Sequence, residues 1–169
     1  MLGYAPDAWT AFFTAMIAAA AALTGLLFVA VSINLALILK DSKLRSAFLL
    51  ARAAETLATL LLIVISSALA LVPQNIRLLG LEIAIVDVPM LVITVRSQLH
   101  HRRLNSSDPL TWTISRMAGT AVATVPCAVA GFSLALHAGG GFYWLAPAAL
   151  LGIAGAVYNA WVLLVEIVR

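Results

Sequence analysis

A run of 32 residues without one charged side chain, residues 8–39, most limits what this chain can fold into. As a single α-helix the run is about 48 Å long, against about 30 Å of hydrocarbon in a bilayer. The chain of 169 residues is 63% hydrophobic and only 10% charged, whereas soluble domains carry about 25% charged residues. The sequence therefore predicts a membrane protein built from helices.

Five apolar runs, divided by charges and turn residues, predict a single all-α domain with five transmembrane helices. Pro73 precedes the third run, the segment 107–109 (Ser-Asp-Pro) precedes the fourth, and three glycines at 139–141 precede the fifth. The predicted spans are residues 9–39, 45–72, 76–98, 109–137 and 142–168.

The basic residues predict the orientation of these spans. With five crossings, nine of the ten Lys and Arg residues lie on or near the side that holds segments 40–45 and 96–108 and the C-terminus. Only Arg77 lies opposite. The positive-inside rule then predicts an outside N-terminus and a cytoplasmic C-terminus. If residues 78–95 did not cross the membrane, only four crossings would remain. The basic segment 96–103 would then lie on the same side of the membrane as Arg77, and the charge asymmetry would be lost.

The basic residues that give the net charge of +3 lie at the ends of membrane spans, where they set the topology in the lipid bilayer. No nucleic-acid partner is therefore expected. The basic segment at the end of the third span favours contact with anionic lipid headgroups. The residues predicted to make that contact are Arg96, Arg102 and Arg103.

The third apolar run, residues 78–95, is unusual because it contains Glu82 and Asp87. A charged side chain at the centre of a bilayer costs about 2.5–3.5 kcal/mol on insertion scales, so such residues face protein or water. The two carboxyl groups lie about 140° apart around a helix, at 100° per residue. They therefore do not form an obvious metal-binding pair.

Asp87 lies near the middle of its span and two residues before Pro89, which removes a backbone hydrogen bond. One interpretation is a polar pocket in which Asp87 titrates or coordinates an ion. The other is a protonated Asp87 that is hydrogen-bonded to a neighbouring helix, at Asn159 or Ser32. Both interpretations remain open at the level of the sequence.

Polar side chains on other spans extend the first interpretation into a candidate pathway through the bundle. Arg52 and Glu55 share one face of the second span, and Thr59 and Ser66 continue that face. The predicted pathway comprises Asp87, Glu82, Asn34, Arg52, Glu55, Arg116 and Asn159. The alternative is that these residues join helices or subunits, because charges at membrane depth must pair.

Small residues recur at helical spacing in several spans and predict close packing of helices. The glycines assigned to this packing are Gly25, Gly119, Gly131 and Gly152. In the first span the stripe of small residues suits either helix packing or a pore lining. Because such small residues also let helices of different subunits approach closely, this pattern favours a homo-oligomer.

No pattern of catalytic residues is present, so an enzyme is not expected. The chain lacks GxSxG, HExxH, GxGxxG and a phosphate-binding loop. His100 and His101 are adjacent and diverge by about 100° on a helix, so they do not chelate as an i, i+4 pair would. No cofactor or metal is therefore expected.

Two functions fit these features. The first is a small oligomeric protein of transport type, a channel or an ion or proton pathway, that uses the carboxyl groups within the membrane. The second is a non-transporting accessory or regulatory protein that packs against a larger membrane complex.

The segments AWTAFFTAMIAAAAALTGLLFVAVSINLALIL and RAAETLATLLLIVISSALALVPQ resemble a group of small multi-pass integral membrane proteins of bacteria, mostly actinobacteria. The resemblance covers the first two spans, about a third of the chain. It implies the membrane class and no particular activity or site.

Overall fold

The computed structural model describes residues 2–40, 43–104 and 110–168, with side chains for residues 2–36, 38, 49–100 and 117–162. Two short 3₁₀ turns, Leu2–Tyr4 and Pro6–Trp9, precede the helices. The helices α1 to α5 are Thr10–Lys40, Lys43–Leu71, Ile76–Leu104, Leu110–Leu136 and Phe142–Val168. Each contains a stretch long and apolar enough to cross a bilayer, which confirms the prediction of an all-helical fold with five such helices.

The largest departure from the predicted spans is at the end of α3. The segment 96–108 was expected to connect two spans, but α3 continues through it to Leu104. No Pro or Gly interrupts residues 96–104, and basic side chains are favourable in the last turns of a helix. Arg96 lies on the exposed surface of this extension. The side chains of Arg102 and Arg103 lie outside the described ones.

The helices form an antiparallel bundle in which neighbours along the chain pack together. The most extensive contacts join α3 to α4, α1 to α2 and α4 to α5, and α5 also packs on α2. One end of the bundle holds the start of α1 and the α4–α5 turn, and we call it the N-terminal end. The opposite end, where α1, α3 and α5 finish, is the C-terminal end.

Aromatic side chains gather at the N-terminal end. Trp9 lies between Phe12 at 5.8 Å and Tyr143 at 5.2 Å, measured between ring centroids, and Phe13 lies 5.3 Å from Phe142. The hydroxyl of Tyr4 also accepts a hydrogen bond of 3.0 Å from the backbone N–H of Gly140. These contacts fasten the start of α1 to the α4–α5 turn.

Two helices approach each other closely where α3 crosses α4, at Gly80 and Gly131. A Cβ built on Gly80 would lie 2.6 Å from the carbonyl oxygen of Gly131, and one on Gly131 would lie 3.0 Å from the backbone nitrogen of Ala84. Only hydrogen fits at these positions, which is why small residues allow two membrane helices to approach closely. Gly131 was one of the predicted packing glycines, whereas Gly80 was not singled out.

We expect Gly80→Ala to lower the free energy of unfolding by about 1–3 kcal/mol, because the added methyl group meets backbone atoms that cannot move aside. Titration with SDS in mixed micelles measures this change. Gly25→Ala is the matched control, since a Cβ on Gly25 meets nothing within 4 Å. Equal stability of the Gly80→Ala variant and the wild type would contradict the close crossing.

Candidate functional site

The candidate site is centred on Asp87, near the middle of α3. Its side chain is 0% exposed. Neither carboxyl oxygen has a hydrogen-bond partner among the residues that the structure describes. An ionised carboxylate without a partner is very costly in such surroundings, so the neutral carboxylic acid is the form that fits there. Asp87 is thus a buried acid held in place without compensating hydrogen bonds.

Two polar side chains lie in sequence between this acid and α2. The thiol of Cys127 on α4 faces the Asp87 carboxyl, and the hydroxyl of Ser66 on α2 faces the same thiol. Ser66 also donates a hydrogen bond of 3.3 Å to the carbonyl oxygen of Ile63 in its own helix. The acid on α3 is thereby linked through α4 to the polar face of α2.

A small cavity lies beside this series of side chains. Its volume is about 10 Å³, and its polar walls are Thr59, Ser66, Ser67 and Cys127. A site needs roughly 10–15 Å³ to accept one water molecule. The cavity is therefore close to the size of a single water, and it has hydroxyl groups with which such a water would bond.

A second, larger cavity opens between α2, α4 and α5 near the C-terminal end of the bundle. Its volume is about 130 Å³. Thr59 lines both this cavity and the small one, so the two spaces adjoin at this side chain. The described residues that line the larger cavity are Arg52, Glu55, Thr56, Thr59, Gly119, Thr120, Gly152, Gly155, Ala156, Tyr158 and Asn159.

One face of α2 supplies the polar wall along both cavities. Arg52, Thr56, Thr59 and Ser66 follow one another at steps of four, three and seven residues, which places them on one side of a helix. Thr56 donates a hydrogen bond of 2.9 Å to the carbonyl oxygen of Arg52, and Thr59 donates one of 3.0 Å to that of Glu55. Because each hydroxyl donates within its helix, its lone pairs remain to accept from a guest molecule.

The larger cavity brings together three residues of the predicted pathway. Nη2 of Arg52 donates a hydrogen bond of 3.1 Å to Oδ1 of Asn159, across the gap between α2 and α5. Glu55 lies one turn from Arg52 and lines the same cavity. The side chain of Arg116, which was assigned to the same pathway, lies outside the described ones.

Glu82 does not join this site. It is half-buried near the start of α3, where Nε2 of Gln74 donates a hydrogen bond of 2.8 Å to its carboxylate. Between Asp87 and the N-terminal end, the buried core is mostly apolar and includes Phe13, Leu79, Ile83, Leu134 and Phe142. It also holds the buried hydroxyl groups of Ser66, Ser67 and Ser133. The larger cavity therefore lies between Asp87 and the C-terminal end, and the small cavity lies beside the acid.

Asn34 also lies apart from the other predicted pathway residues. Its Nδ2 donates a hydrogen bond of 2.8 Å to the carbonyl oxygen of Ala30 in its own helix. It lines an apolar groove between α1 and α5, together with leucines and Trp161. Its place in the pathway stays a prediction, and the structure places its amide in a hydrogen bond within α1 and beside apolar side chains.

The suggested hydrogen bond from Asp87 to Asn159 or Ser32 is not present. Asn159 bonds Arg52 near the C-terminal end, and Ser32 is exposed on the surface of α1. The acid instead faces Cys127 on α4.

The remaining predicted glycines lie in two kinds of place. A Cβ on Gly152 would lie 2.8 Å from Cδ1 of Ile63, so this residue packs closely against α2. Gly119 lines the larger cavity, and Gly25 lies on the exposed side of α1; a Cβ on either would meet nothing within 4 Å. Neither glycine therefore brings two helices of this chain together.

The sequence reasoning missed several residues of the site. Thr56 could have been found, because it lies one turn after Arg52 on the polar face. Thr120 accepts a hydrogen bond of 2.8 Å from Nε2 of the buried Gln98, the residue at the predicted end of the third span. Pairing between two helices of this kind leaves no signal in one sequence.

The described residues include no group of three or more His, Cys, Asp or Glu side chains that could hold a metal ion. Comparisons with protein-family profiles, curated protein sequences and solved structures found no matching family, sequence or structure. The function is therefore inferred from the chemistry of the site itself.

We expect Asn159→Leu to lower the free energy of unfolding by about 1–3 kcal/mol, because Arg52 loses a hydrogen-bond acceptor in a half-buried position. Asn34→Leu is the matched control, and its effect should stay within about 0.5 kcal/mol, since Asn34 bonds only its own helix. SDS titration in mixed micelles compares the two variants. A larger loss for Asn34→Leu would contradict the contact between α2 and α5.

Proposed function

We propose that this chain is a transport-type membrane protein whose central group is Asp87, a carboxylic acid that takes up and releases a proton within the bilayer. The observation that carries the proposal is the complete burial of this carboxyl group without a hydrogen-bond partner. Ionisable groups inside membranes are costly and mark proton and ion pathways in pumps and transporters. A structural acid would be expected to hold a strong hydrogen bond to a neighbouring helix, whereas the group that faces Asp87 is the weakly donating thiol of Cys127.

The cavities support access to Asp87 from one end of the bundle. The larger cavity reaches Thr59, the small cavity reaches from Thr59 to Cys127, and Cys127 faces the acid. A proton can pass along hydroxyl groups and single water molecules, whereas a hydrated metal ion is too large for a space of about 10 Å³. This favours a proton over a metal ion as the transported species.

The apolar core on the other side of Asp87 supports a gated pathway rather than an open channel. Leu79, Ile83 and Leu134 are each at most 2% exposed and fill the space toward the N-terminal end. Release of a proton to that side therefore requires a change in packing, which is typical of a transporter.

The orientation follows from the charge distribution, and location in a bacterial cytoplasmic membrane follows from the resemblance of the first two spans; both belong to the same proposal. With the C-terminal end in the cytoplasm of a bacterium, the larger cavity opens toward the cytoplasmic side. A homo-oligomer remains a further expectation, and α1, the least buried of the five spans, offers the surface for it. That same surface suits the alternative, an accessory protein that packs against a larger membrane complex.

Purified protein in liposomes should carry protons when a potassium diffusion potential is imposed, as followed by a pH-sensitive dye inside the vesicles. Asp87→Asn keeps the shape of the side chain but cannot ionise, so we expect the proton flux to fall by about tenfold or more. Its stability in mixed micelles should remain close to that of the wild type, because no hydrogen bond to a described residue is lost.

Glu82→Gln is the matched control, since it removes the other carboxyl group of α3 and keeps a side chain that can bond Gln74. Its flux should equal that of the wild type. A wild-type flux no greater than that of empty liposomes would reject the transport proposal. A stable complex with another membrane protein, recovered in mild detergent, would then favour the accessory role.

A further inference from the structure

We propose that the larger cavity is a binding site for a small polar solute that carries no net charge. Its lining combines groups that donate hydrogen bonds with groups that accept them. The proposal goes beyond the proton pathway, because it concerns the space between α2, α4 and α5 and does not depend on the titration of Asp87.

The glycines of the cavity provide the first observation. Gly119 and Gly155 both line it, and a Cβ on either would meet nothing within 4 Å. Glycine is a poor helix former, and neither residue brings two helices together, unlike Gly80 and Gly131. The absence of side chains at these positions therefore leaves an open space at the helix surfaces.

The hydrogen-bonding groups provide the second observation. Thr56 and Thr59 donate to carbonyl oxygens of α2, so their hydroxyl oxygens can accept from a guest. Asn159 accepts from Arg52 at Oδ1, so its amide nitrogen is the group that can donate. A solute that both donates and accepts hydrogen bonds would match this wall.

The charges of the wall indicate the class of solute. Arg52 and Glu55 lie one turn apart on α2 and have opposite signs. A guest with net charge would be attracted by one of these groups and repelled by the other, whereas a neutral amide or a zwitterion is compatible with both. The two described charges of the cavity thus favour a guest whose own charge sums to zero.

The size of the cavity limits the solute further. Its volume of about 130 Å³ equals the space of about four water molecules at roughly 30 Å³ each. A molecule of about four or five non-hydrogen atoms fills it. Acetamide represents the neutral class at this size, and glycine represents the zwitterionic class.

Saturation-transfer difference NMR on the full chain in detergent micelles tests the proposal, with acetamide and glycine as separate probes at millimolar concentrations. We expect a saturable signal from at least one of them. Gly155→Val should reduce that signal at least about fivefold by filling the cavity, and Gly119→Val provides a second filling variant. Gly25→Val, on the exposed side of α1, is the matched control and should keep the wild-type signal.

Three results would overturn the proposal. They are the absence of a saturable signal from both probes, an undiminished signal in every folded cavity-filling variant, and stronger binding of acetate or methylammonium, which carry net charge. The measurement needs neither a membrane potential nor Asp87. Failure of solute binding would therefore not contradict the proton pathway, and an absence of proton flux would not contradict the binding site.

Discussion

The constraint on which the rest of this structure depends is a carboxyl group placed in the middle of a membrane helix without a hydrogen-bond partner. Asp87 is sealed from lipid on all sides, and both of its oxygens lack a partner among the described residues. Burial of an unsatisfied polar group typically costs about 1–3 kcal/mol in proteins. The surrounding helices must offset this cost through packing. A functional role of the carboxyl group would explain why the chain keeps it at this position.

The glycine crossing explains how the acid acquires its surroundings. Gly80 lies seven residues before Asp87 on α3, and Gly131 lies four residues after Cys127 on α4. The two helices run in opposite directions. Asp87 and Cys127 therefore both lie on the same side of the crossing, toward the C-terminal end of the bundle. The contact between backbones at the crossing therefore sets the distance at which Cys127 faces Asp87. The same tight contact closes the apolar side of the site.

The sequence predicted much of the fold and part of the site. The long uncharged runs and the turn residues predicted five helices, because hydrophobic length is a direct consequence of bilayer thickness. The polar face of α2 followed from helical spacing at Arg52, Glu55, Thr59 and Ser66. What the sequence could not predict is which faces meet. Asn34 and Asn159 look alike in the sequence, yet one bonds its own helix and the other bonds Arg52.

Infrared difference spectroscopy on the protein in lipid vesicles tests the central claim most directly. The carbonyl stretch of a protonated carboxylic acid is identified as Asp87 by its loss in the Asp87→Asn variant. The account predicts that this band is present at neutral pH and shifts after transfer to heavy water, because the buried acid exchanges its proton through the cavities. A band that is absent at neutral pH, or that never shifts in heavy water, would contradict it.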